Sequence, residues 1–393
     1  MDKRLLWLSV GSFAMSTVGF VFSALLPLIA ADTHISIPSA GYLITAFSLA
    51  YAIGAPTLSA LVGAVDRRRV LTAAMLVFVA GNAIAATSSS FVTLLLAQLV
   101  MGAAAGLFAA TAQATAVALA GPEHRALAIS VVVGGTTFAV ALGAPLGSLI
   151  AAFWGWRGTF LSVAGLGLLT ALVLWWRLPG GLRGTRLPLA ERFMAVARPG
   201  IAPALLVTLL YLTGAFVVIS YLAPLAMEGA GLPKMALPGM LLSFGVGAVI
   251  GNLSSGFLAD RIGAGRVVVL SLLLSITICL LIVLDLKLLP HDLSGPLLIG
   301  VMLPWGIIGW AFPPAQASRV VSYAPDVAHL TLSLNASAIY FGVALGTVVG
   351  GRVLEYASPS DLGLVAAALP LAALLVMLAG RVAQRGPATQ PAE

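Results

Sequence analysis

Long apolar stretches, broken by short polar segments, follow one another along almost the whole chain. An α-helix needs about 20 apolar residues to cross the hydrocarbon core of a bilayer, and the stretches have about this length or more. The pattern predicts twelve membrane-spanning helices with the approximate bounds 5–31, 40–64, 70–88, 91–119, 127–152, 157–177, 200–227, 236–258, 266–286, 295–318, 328–354 and 361–381. A polar segment from Leu178 to Arg198 divides them into six and six. We therefore expect an all-α membrane protein built from two pseudo-symmetric six-helix bundles.

The composition agrees with a membrane protein. Sixty per cent of the 393 residues are hydrophobic and 8% are charged, whereas a soluble domain carries about 25% charged residues. The first stretch, Leu5 to Ala31, exceeds the roughly 7–15 residues of a signal-peptide core, so we expect a retained helix. The single cysteine, Cys279, lies inside an apolar run, which excludes a disulfide framework and a zinc site.

The basic residues predict the orientation. All but four of the 20 Lys and Arg residues fall at the termini, in the central segment, or in loops that follow an even-numbered span; the four are Arg157, Lys234, Lys287 and Arg352. The positive-inside rule then places both termini in the cytoplasm. The predicted domains are residues 1–177 (N-terminal bundle), 178–199 (cytoplasmic linker), 200–382 (C-terminal bundle) and 383–393 (cytoplasmic tail).

Two short charged loops occupy equivalent places in the two halves. Asp66-Arg67-Arg68-Arg69 and Asp260-Arg261-Ile262-Gly263-Ala264-Gly265-Arg266 each separate the second span of a half from the third. Duplicated halves with matching loops are typical of transporters. We expect both aspartates to lie near the start of the following helix, where the helix dipole favours a carboxylate. Such loops fit two roles, a helix cap with a topology anchor or a cytoplasmic gate.

These strings resemble the major facilitator superfamily along nearly the whole chain, and most closely its bacterial drug:proton antiporter branch, which includes arabinose-efflux-permease-like exporters. Gly256-Phe-Leu-Ala-Asp260-Arg261 with Gly265-Arg266 is similar to the family's loop motif, whereas the N-terminal copy is degenerate. Gly143-Ala144-Pro145-Leu146-Gly147 is similar to the antiporter signature of helix five. The resemblance implies export by alternating access. It also implies a gating role for Asp66, Arg67, Arg69, Pro145, Asp260, Arg261 and Arg266.

In this superfamily helices one, four, seven and ten line the central cavity. The polar and aromatic residues that the resemblance makes candidates for substrate binding are Thr17, Phe20, Gln98, Gln113, Tyr211, Phe216, Tyr221, Trp305 and Trp310, with Asn335 and Tyr340 on helix eleven. The competing interpretation is hydrogen bonding between helices, or an interfacial aromatic belt. Because no counter-charge lies among them, they predict a small uncharged or amphipathic organic solute, drug- or sugar-like.

Proton coupling lacks its usual residues. We expect the thirteen acidic residues all to lie in loops, termini or span ends: Asp2, Asp32, Asp66, Glu123, Glu191, Glu228, Asp260, Asp285, Asp292, Asp326, Glu355, Asp361 and Glu393. Where related exporters often carry an acidic residue in helix one this chain has Gly19, and Gln98 replaces the family's helix-four arginine. Proton antiport therefore competes with a proton-independent facilitator, a uniporter or an importer.

The resulting hypothesis is a monomeric multi-pass secondary transporter of the bacterial cytoplasmic membrane. Its expected partners are a small-molecule substrate, the lipid bilayer and, for antiport, protons, with no nucleic acid and no cofactor. A non-transporting receptor or scaffold is the alternative from another class. An enzyme is disfavoured, because the sequence shows no nucleophile–base pair, metal cluster or phosphate-binding loop in its expected context.

Overall fold

A computed structural model describes residues 3–120, 125–183 and 195–384. Within this part of the chain every long element is a helix. Parts of two predicted segments lie outside the described residues: 184–194 of the linker and 385–393 of the tail.

Between residues 3 and 183, the described residues form six long helices: α1 (Arg4–Thr33), α2 (Ile37–Leu61), α3 (Arg67–Thr87), α4 (Phe91–Ala120), α5 (Arg125–Phe138) and α6 (Ala144–Arg177). A π-helical turn, Ala139–Gly143, joins α5 to α6 without a break. The break comes instead at Gly155, whose backbone (φ 71°, ψ 171°) is far from helical. The continuous helical stretch is therefore two membrane crossings, as the spans 127–152 and 157–177 predicted.

The second half also contains six long helices: α7 (Ile201–Ile219), α8 (Leu237–Ile262), α9 (Ala264–Leu288), α10 (His291–Tyr323), α11 (Ala328–Tyr356) and α12 (Leu362–Gln384). Counting the long stretch around Gly155 once, the described residues contain 11 helices long and apolar enough to cross a membrane. The break makes them twelve. Helix α7 is interrupted after Ile219 because Pro224 has no N–H to donate to the Ser220 carbonyl. The chain continues as a short helical turn, Leu222–Pro224, and a π-helical turn, Leu225–Gly229, so that helical structure resumes and covers the predicted end at 227.

Two boundaries correct the sequence expectation. Asp66 is the N-cap of α3, as expected, and its carboxylate accepts a hydrogen bond from the Arg68 N–H. Asp260 instead lies in the last turn of α8, because the chain stays helical until Gly263, where φ is +90°. Helix α10 extends to Tyr323, five residues beyond its predicted end, so Arg319 lies inside the helix and not in a loop.

Close helix crossings explain many of the glycines. Gly102 and Gly106 of α4 lie against the α2 backbone, and Gly247 and Gly251 of α8 lie against α10. Gly342, Gly346 and Gly350 likewise bring α11 onto α7. Small residues at this spacing let helices approach within a bilayer, where dispersion contacts drive packing.

Two seams connect helices of the first half with helices of the second. Helix α2 packs along α11, and the π-helical turn after α5 packs on α8. The remaining long-helix contacts of α1, α3 and α4 lie chiefly within the first half, and those of α7, α9 and α12 within the second. The seams therefore flank any space that both halves enclose.

Candidate functional site

An aromatic cluster joins the two halves at the centre of the described helices. The Phe20 ring of α1 lies 5.9 Å from the Trp310 ring of α10 and 6.4 Å from the Phe216 ring of α7, centroid to centroid. These are ordinary distances for tilted aromatic pairs. Phe216 is buried, whereas Phe20 and Trp310 are half-buried. Three predicted residues on three predicted cavity helices are therefore brought together.

A small cavity of about 20 Å³ lies beside this cluster. Its lining consists of Phe20, Ser23, Val140, Ala144, Ile219, Leu222, Leu241, Phe244, Met302 and Trp305, none of them charged. The Trp305 ring stands edge-on to Phe244 at 5.6 Å, and the Ser23 hydroxyl donates to the Phe20 carbonyl at 3.2 Å. The volume holds about one water molecule. The space between the two halves is therefore nearly closed beside the aromatic cluster.

The α2–α11 seam carries a second aromatic contact. Tyr340, a predicted binding residue, stacks on Tyr51 with ring centroids 3.5 Å apart and planes at 18°. One helical turn away, the Ser337 hydroxyl donates to the Ala52 carbonyl at 2.9 Å. That carbonyl needs an outside donor because Pro56, four residues further along α2, has no N–H. A proline in one half thus creates the acceptor for a serine of the other.

Tyr221 closes the opposite end of the same seam. Its side chain is 1% exposed, and its hydroxyl donates to the Thr347 carbonyl at 2.9 Å. The hydroxyl lies against Gly41 of α2, where a Cβ would collide with it, and the ring lies against Gly350. The Tyr221 side chain therefore fills a space that exists because Gly41 and Gly350, one from each half, have no side chains.

Pro145 and Thr17 lie next to the seam between the π-helical turn and α8. The π-helical turn ends just before Pro145, and its Ala141 backbone lies directly against Gly245 of α8. The Asn252 side-chain N–H donates to the Thr137 hydroxyl at 2.7 Å across this seam. Thr17 packs against Gly143, and its hydroxyl donates to the Phe13 carbonyl at 2.8 Å. The Thr17 hydroxyl is thus already hydrogen-bonded within its own helix.

Three other predicted residues lie inside the helix packing. Tyr211 stacks on Phe312 at 3.8 Å, and its hydroxyl lies 3.2 Å from the Ser275 hydroxyl. Gln98 is completely buried, and neither amide atom has a hydrogen-bond partner among the described residues. Gln113 is half-buried on α4. None of the three lines the small cavity beside the aromatic cluster.

Asn335 belongs to a buried polar network that sequence reasoning missed. Its side-chain oxygen accepts from the Thr208 hydroxyl at 2.7 Å, and the Gln316 side-chain N–H donates to the Ala204 carbonyl at 2.7 Å and to Thr208 at 3.1 Å. Arg319, one turn inside α10, donates to the Gln316 oxygen at 3.3 Å. The network ties α7, α10 and α11 together. Only the polar character of each residue was visible in the sequence.

The N-terminal charged loop is tightly held. The Asp66 carboxylate accepts from the Gly181 N–H at 2.6 Å, and the Arg67 N–H donates to the Leu182 carbonyl at 2.9 Å. The bond from Gly181 contributes most to lowering the pKa of Asp66 below its usual 3.8, and the Arg68 N–H and the charges of Arg68 and Arg69 lower it further. Arg67 also donates to the Ala114 carbonyl at 2.7 Å, whereas Arg69 is exposed. The loop thus clamps the chain that leaves α6.

The C-terminal charged loop has fewer contacts. Asp260, Arg261 and Arg266 are all exposed. The Arg261 guanidinium lies 4.2 Å from the Phe257 ring centroid, and Arg266 donates to the Ile262 carbonyl at 3.3 Å, so both bind within their own segment. The copy closer to the family motif is therefore the more accessible one in this structure.

The acidic residues can be placed in part. Asp2, Glu123, Glu191 and Glu393 lie outside the described residues. Asp285, in the last turn of α9, is 3% exposed, and it is the one acidic side chain buried to this degree in the described part of the chain. It lies beside the Ser294 hydroxyl without forming a hydrogen bond. It does not line the cavity.

Twelve apolar helices around a closed internal cavity define a polytopic membrane protein of the transporter type. Residues 8–347 match the model of the Major Facilitator Superfamily. The chain belongs to this superfamily, and it is a membrane transporter and not an enzyme.

Its relatives include two bacterial proteins of similar length. The chain is 31% identical to the uncharacterized MFS-type transporter YbcL of Bacillus subtilis over 94% of both chains. It is also 31% identical to the inner membrane transport protein YdhP of Escherichia coli over 97% of both chains.

Solved structures share the fold. The human organic anion transporter MFSD10 aligns with a TM-score of 0.72 and 20% identity, over 96% of this chain and 100% of that one. An inward-facing, occupied bacterial homologue of the lysosomal transporter Spinster aligns with a TM-score of 0.71 and 17% identity, over 99% of this chain and 98% of that one.

Proposed function

We propose that the chain exports a small uncharged or amphipathic organic solute across the bacterial cytoplasmic membrane by alternating access. The observation that carries the proposal is the uncharged aromatic cavity that both halves line. Phe20 and Trp305 line the cavity, the Trp310 ring packs against Phe20 beside it, and the hydroxyl of Ser23 is bonded to its own helix. Such a surface favours a flat, weakly polar solute, because an ion would lose its hydration without gaining a counter-charge.

The proposed working units are two six-helix bundles, residues 1–177 and 200–382, which rock about the cavity. Most long-helix contacts within each range and the two seams between them support this division. The distribution of basic residues supports cytoplasmic termini. With this orientation, Tyr221 lies at the extracellular end of the α2–α11 seam. It would then seal the outer side while the cytoplasmic side loads solute.

Export is proposed from the antiporter-like sequence around Pro145 and from its structural consequence. The π-helical turn before Pro145 presses α5 onto α8 at Gly245, as an inter-half hinge requires. A π-turn in a membrane helix frequently marks a functional site. The reverse direction, import, uses the same pathway and is tested in the same assay.

Two coupling modes are compatible with this cavity. Its lining has no carboxyl group, which favours a facilitator. The buried Asp285 favours proton antiport, because an ionisable group inside a membrane is costly and usually functional. Asp285→Asn separates the two modes: it should abolish the pH dependence of antiport and leave facilitated flux unchanged.

The test is solute flux in proteoliposomes containing the full chain, with and without an imposed pH gradient. We would use chloramphenicol as an uncharged aromatic solute, arabinose as an uncharged sugar and benzoate as an anion. Trp310→Ala removes one aromatic contact and should lower the flux of the preferred solute about three- to tenfold. Trp176→Ala, on the exposed outer face of α6, is the matched control and should leave the flux unchanged.

The pattern of flux discriminates between the alternatives. Flux of an uncharged probe that Trp310→Ala lowers supports the proposed pathway, and dependence on the pH gradient assigns antiport. Flux of benzoate alone would overturn the proposed solute class. Equal effects of Trp310→Ala and Trp176→Ala would overturn the proposed pathway.

A further inference from the structure

Two helices that border the small cavity, α1 and α10, are interrupted by prolines. Pro27 lies inside α1 and Pro313 inside α10. In an α-helix the N–H of each residue donates to the carbonyl four residues earlier, and proline has no N–H. The carbonyls of Ser23 and Gly309 therefore lack their usual donor within the helix. One of these two carbonyls belongs to each half of the protein.

Both carbonyls belong to the helix faces that line the cavity. Ser23 is buried and is itself part of the cavity lining. Gly309 follows two lining residues of α10, Met302 and Trp305, by seven and four positions, and residues at these spacings share one face of a helix. A Cβ on Gly309 would meet no neighbouring side chain or helix within 4 Å, so open space lies beside its backbone. A small molecule can therefore reach this face.

No other helix compensates for these two prolines. The Ala52 carbonyl, which Pro56 deprives of its donor in the same way, accepts from the Ser337 hydroxyl across the α2–α11 seam. Among the residues that the structure describes, no donor from another element reaches the carbonyl of Ser23 or Gly309. Within a bilayer an unpaired carbonyl is costly unless it faces a cavity whose contents supply a donor. The two carbonyls therefore call for a donor from the cavity.

The size of the cavity limits what this donor is in the closed structure. A volume of about 20 Å³ holds about one water molecule, which can donate to a carbonyl of the lining. A solute that takes the place of this water has to donate in its stead, because a buried carbonyl left unpaired costs free energy. The aromatic rings of the lining make no such demand. The backbone thus adds a polar requirement to an otherwise apolar surface.

We propose that the carbonyls of Ser23 and Gly309 accept hydrogen bonds from the solute, which is an uncharged aromatic molecule carrying N–H or O–H groups. This inference rests on the proposed function and narrows its solute class. The ring of the solute contacts aromatic side chains such as Phe20, and its donors pair with the two carbonyls. Aromatic primary amides, anilines and phenols meet both requirements. Aryl ethers and tertiary amides of similar size meet only the first.

The test compares three uncharged benzamides that differ in their donors. Benzamide has two amide N–H groups, N-methylbenzamide has one, and N,N-dimethylbenzamide has none. Binding to the full chain in nanodiscs is measured by ligand-observed NMR, with empty nanodiscs as the background. N,N-dimethylbenzamide should bind about fivefold more weakly than benzamide. N-methylbenzamide, which gains bulk but keeps a donor, should bind more tightly than the dimethyl compound.

Proline substitutions identify the acceptors. Alanine at position 27 or 313 supplies an N–H that pairs with the freed carbonyl inside the helix. Pro27→Ala and Pro313→Ala should each reduce the preference for benzamide over N,N-dimethylbenzamide, and together they should abolish it. Pro304→Ala is the matched control, because Pro304 and Gly300, whose carbonyl it frees, are both exposed on α10. This control should leave the preference unchanged.

The outcomes separate this inference from the proposed function. Equal binding of the three benzamides, lowered by Trp310→Ala, would overturn the inference and leave the proposed pathway in place. A loss of binding of all three in Pro313→Ala would also overturn it, because the proline would then act by bending α10. Failure of every benzamide to bind would overturn the proposed solute class as well. The wild-type comparison needs no variant, so a substitution that prevents folding does not block the test.

Discussion

Ser337→Ala is the sharpest test of how the two halves hold together. The Ser337 hydroxyl supplies the hydrogen bond that the Ala52 carbonyl cannot obtain within α2, because Pro56 has no N–H. The Ser337 side chain is 9% exposed and Ala52 is 1% exposed. Deleting the hydroxyl leaves a buried carbonyl unsatisfied, which costs about 1–3 kcal/mol. We expect a loss of stability of this size.

Pro56→Ala turns the prediction into a double-mutant cycle. Alanine restores an N–H at position 56, which can donate to the Ala52 carbonyl inside α2. In this background Ser337→Ala should cost much less than in the wild type, with a coupling energy of about 1 kcal/mol or more. The measurement is the free energy of unfolding of the four purified proteins in detergent.

A control and a refuting result complete the test. Ser162 on α6 is exposed, and its hydroxyl donates to the Gly158 carbonyl of its own helix at 2.8 Å. Ser162→Ala should stay within about 0.5 kcal/mol of the wild type. If Ser337→Ala is as costly with Pro56→Ala as without it, the proline-created acceptor is not the cause of its effect.

Three further predictions concern the α2–α11 seam, the Asp66 loop and the hydrogen-bond network of Asn335. Each is measured by thermal unfolding unless another measurement is named. Gly41→Ala should destabilise the protein because the new Cβ collides with the Tyr221 hydroxyl, and adding Tyr221→Phe should recover part of the loss. Asp66→Ala should speed hydrogen exchange in residues 178–183. Because the pKa of Asp66 is lowered, its clamp should be intact above pH 3.8 and weaken as the pH falls through the lowered value. Asn335→Leu should cost about 1 kcal/mol, since it removes the acceptor of Thr208.

The sequence predicted the fold because membrane helices are specified locally. Apolar length defines each span, and glycines four apart mark where two helices approach. The break at Gly155 lies between the spans 127–152 and 157–177, as the sequence required. Both signals are contained in one segment, so no knowledge of its neighbours is needed.

The errors came where neighbouring segments decide the outcome. Arg319 looked like a loop residue, but Gln316 accepts its hydrogen bond inside α10. Asp260 looked like a helix start, but nothing before Gly263 ends α8. In both cases a charged residue suggests the end of a helix, but the helix continues past it. The actual helix end is set by a hydrogen-bond partner or by a turn of the backbone. The sequence cannot show such partners before the fold is known.

The sequence predicts which types of residue form the candidate site, but it does not predict which of them contact one another. Phe20, Phe216 and Trp310, which the resemblance assigns to three cavity helices, lie together in the structure, and their role in substrate binding stays a prediction. Tyr221 and Tyr340 lie in the α2–α11 seam: Gly41 of α2 leaves room for Tyr221, and Tyr340 stacks on Tyr51 of α2. From the sequence, Pro56 predicts that the Ala52 carbonyl lacks a donor within α2. Only the packed helices identify Ser337 as the residue that donates to it.

The hydrogen bonds of the hydroxyl groups support the proposal that the pathway selects its solute by shape and aromatic contact. Thr17, beside the cavity, and Ser23, in its lining, each donate to a carbonyl of their own helix. A hydroxyl that is already bonded cannot donate its proton to a solute without breaking that bond. The aromatic rings of the cavity pack against one another, as Phe244 does against Trp305, and a contact of this kind can be replaced by one with an incoming ring. Recognition that relies on such surfaces discriminates weakly between similar apolar groups, so we expect a transporter that accepts several related aromatic solutes.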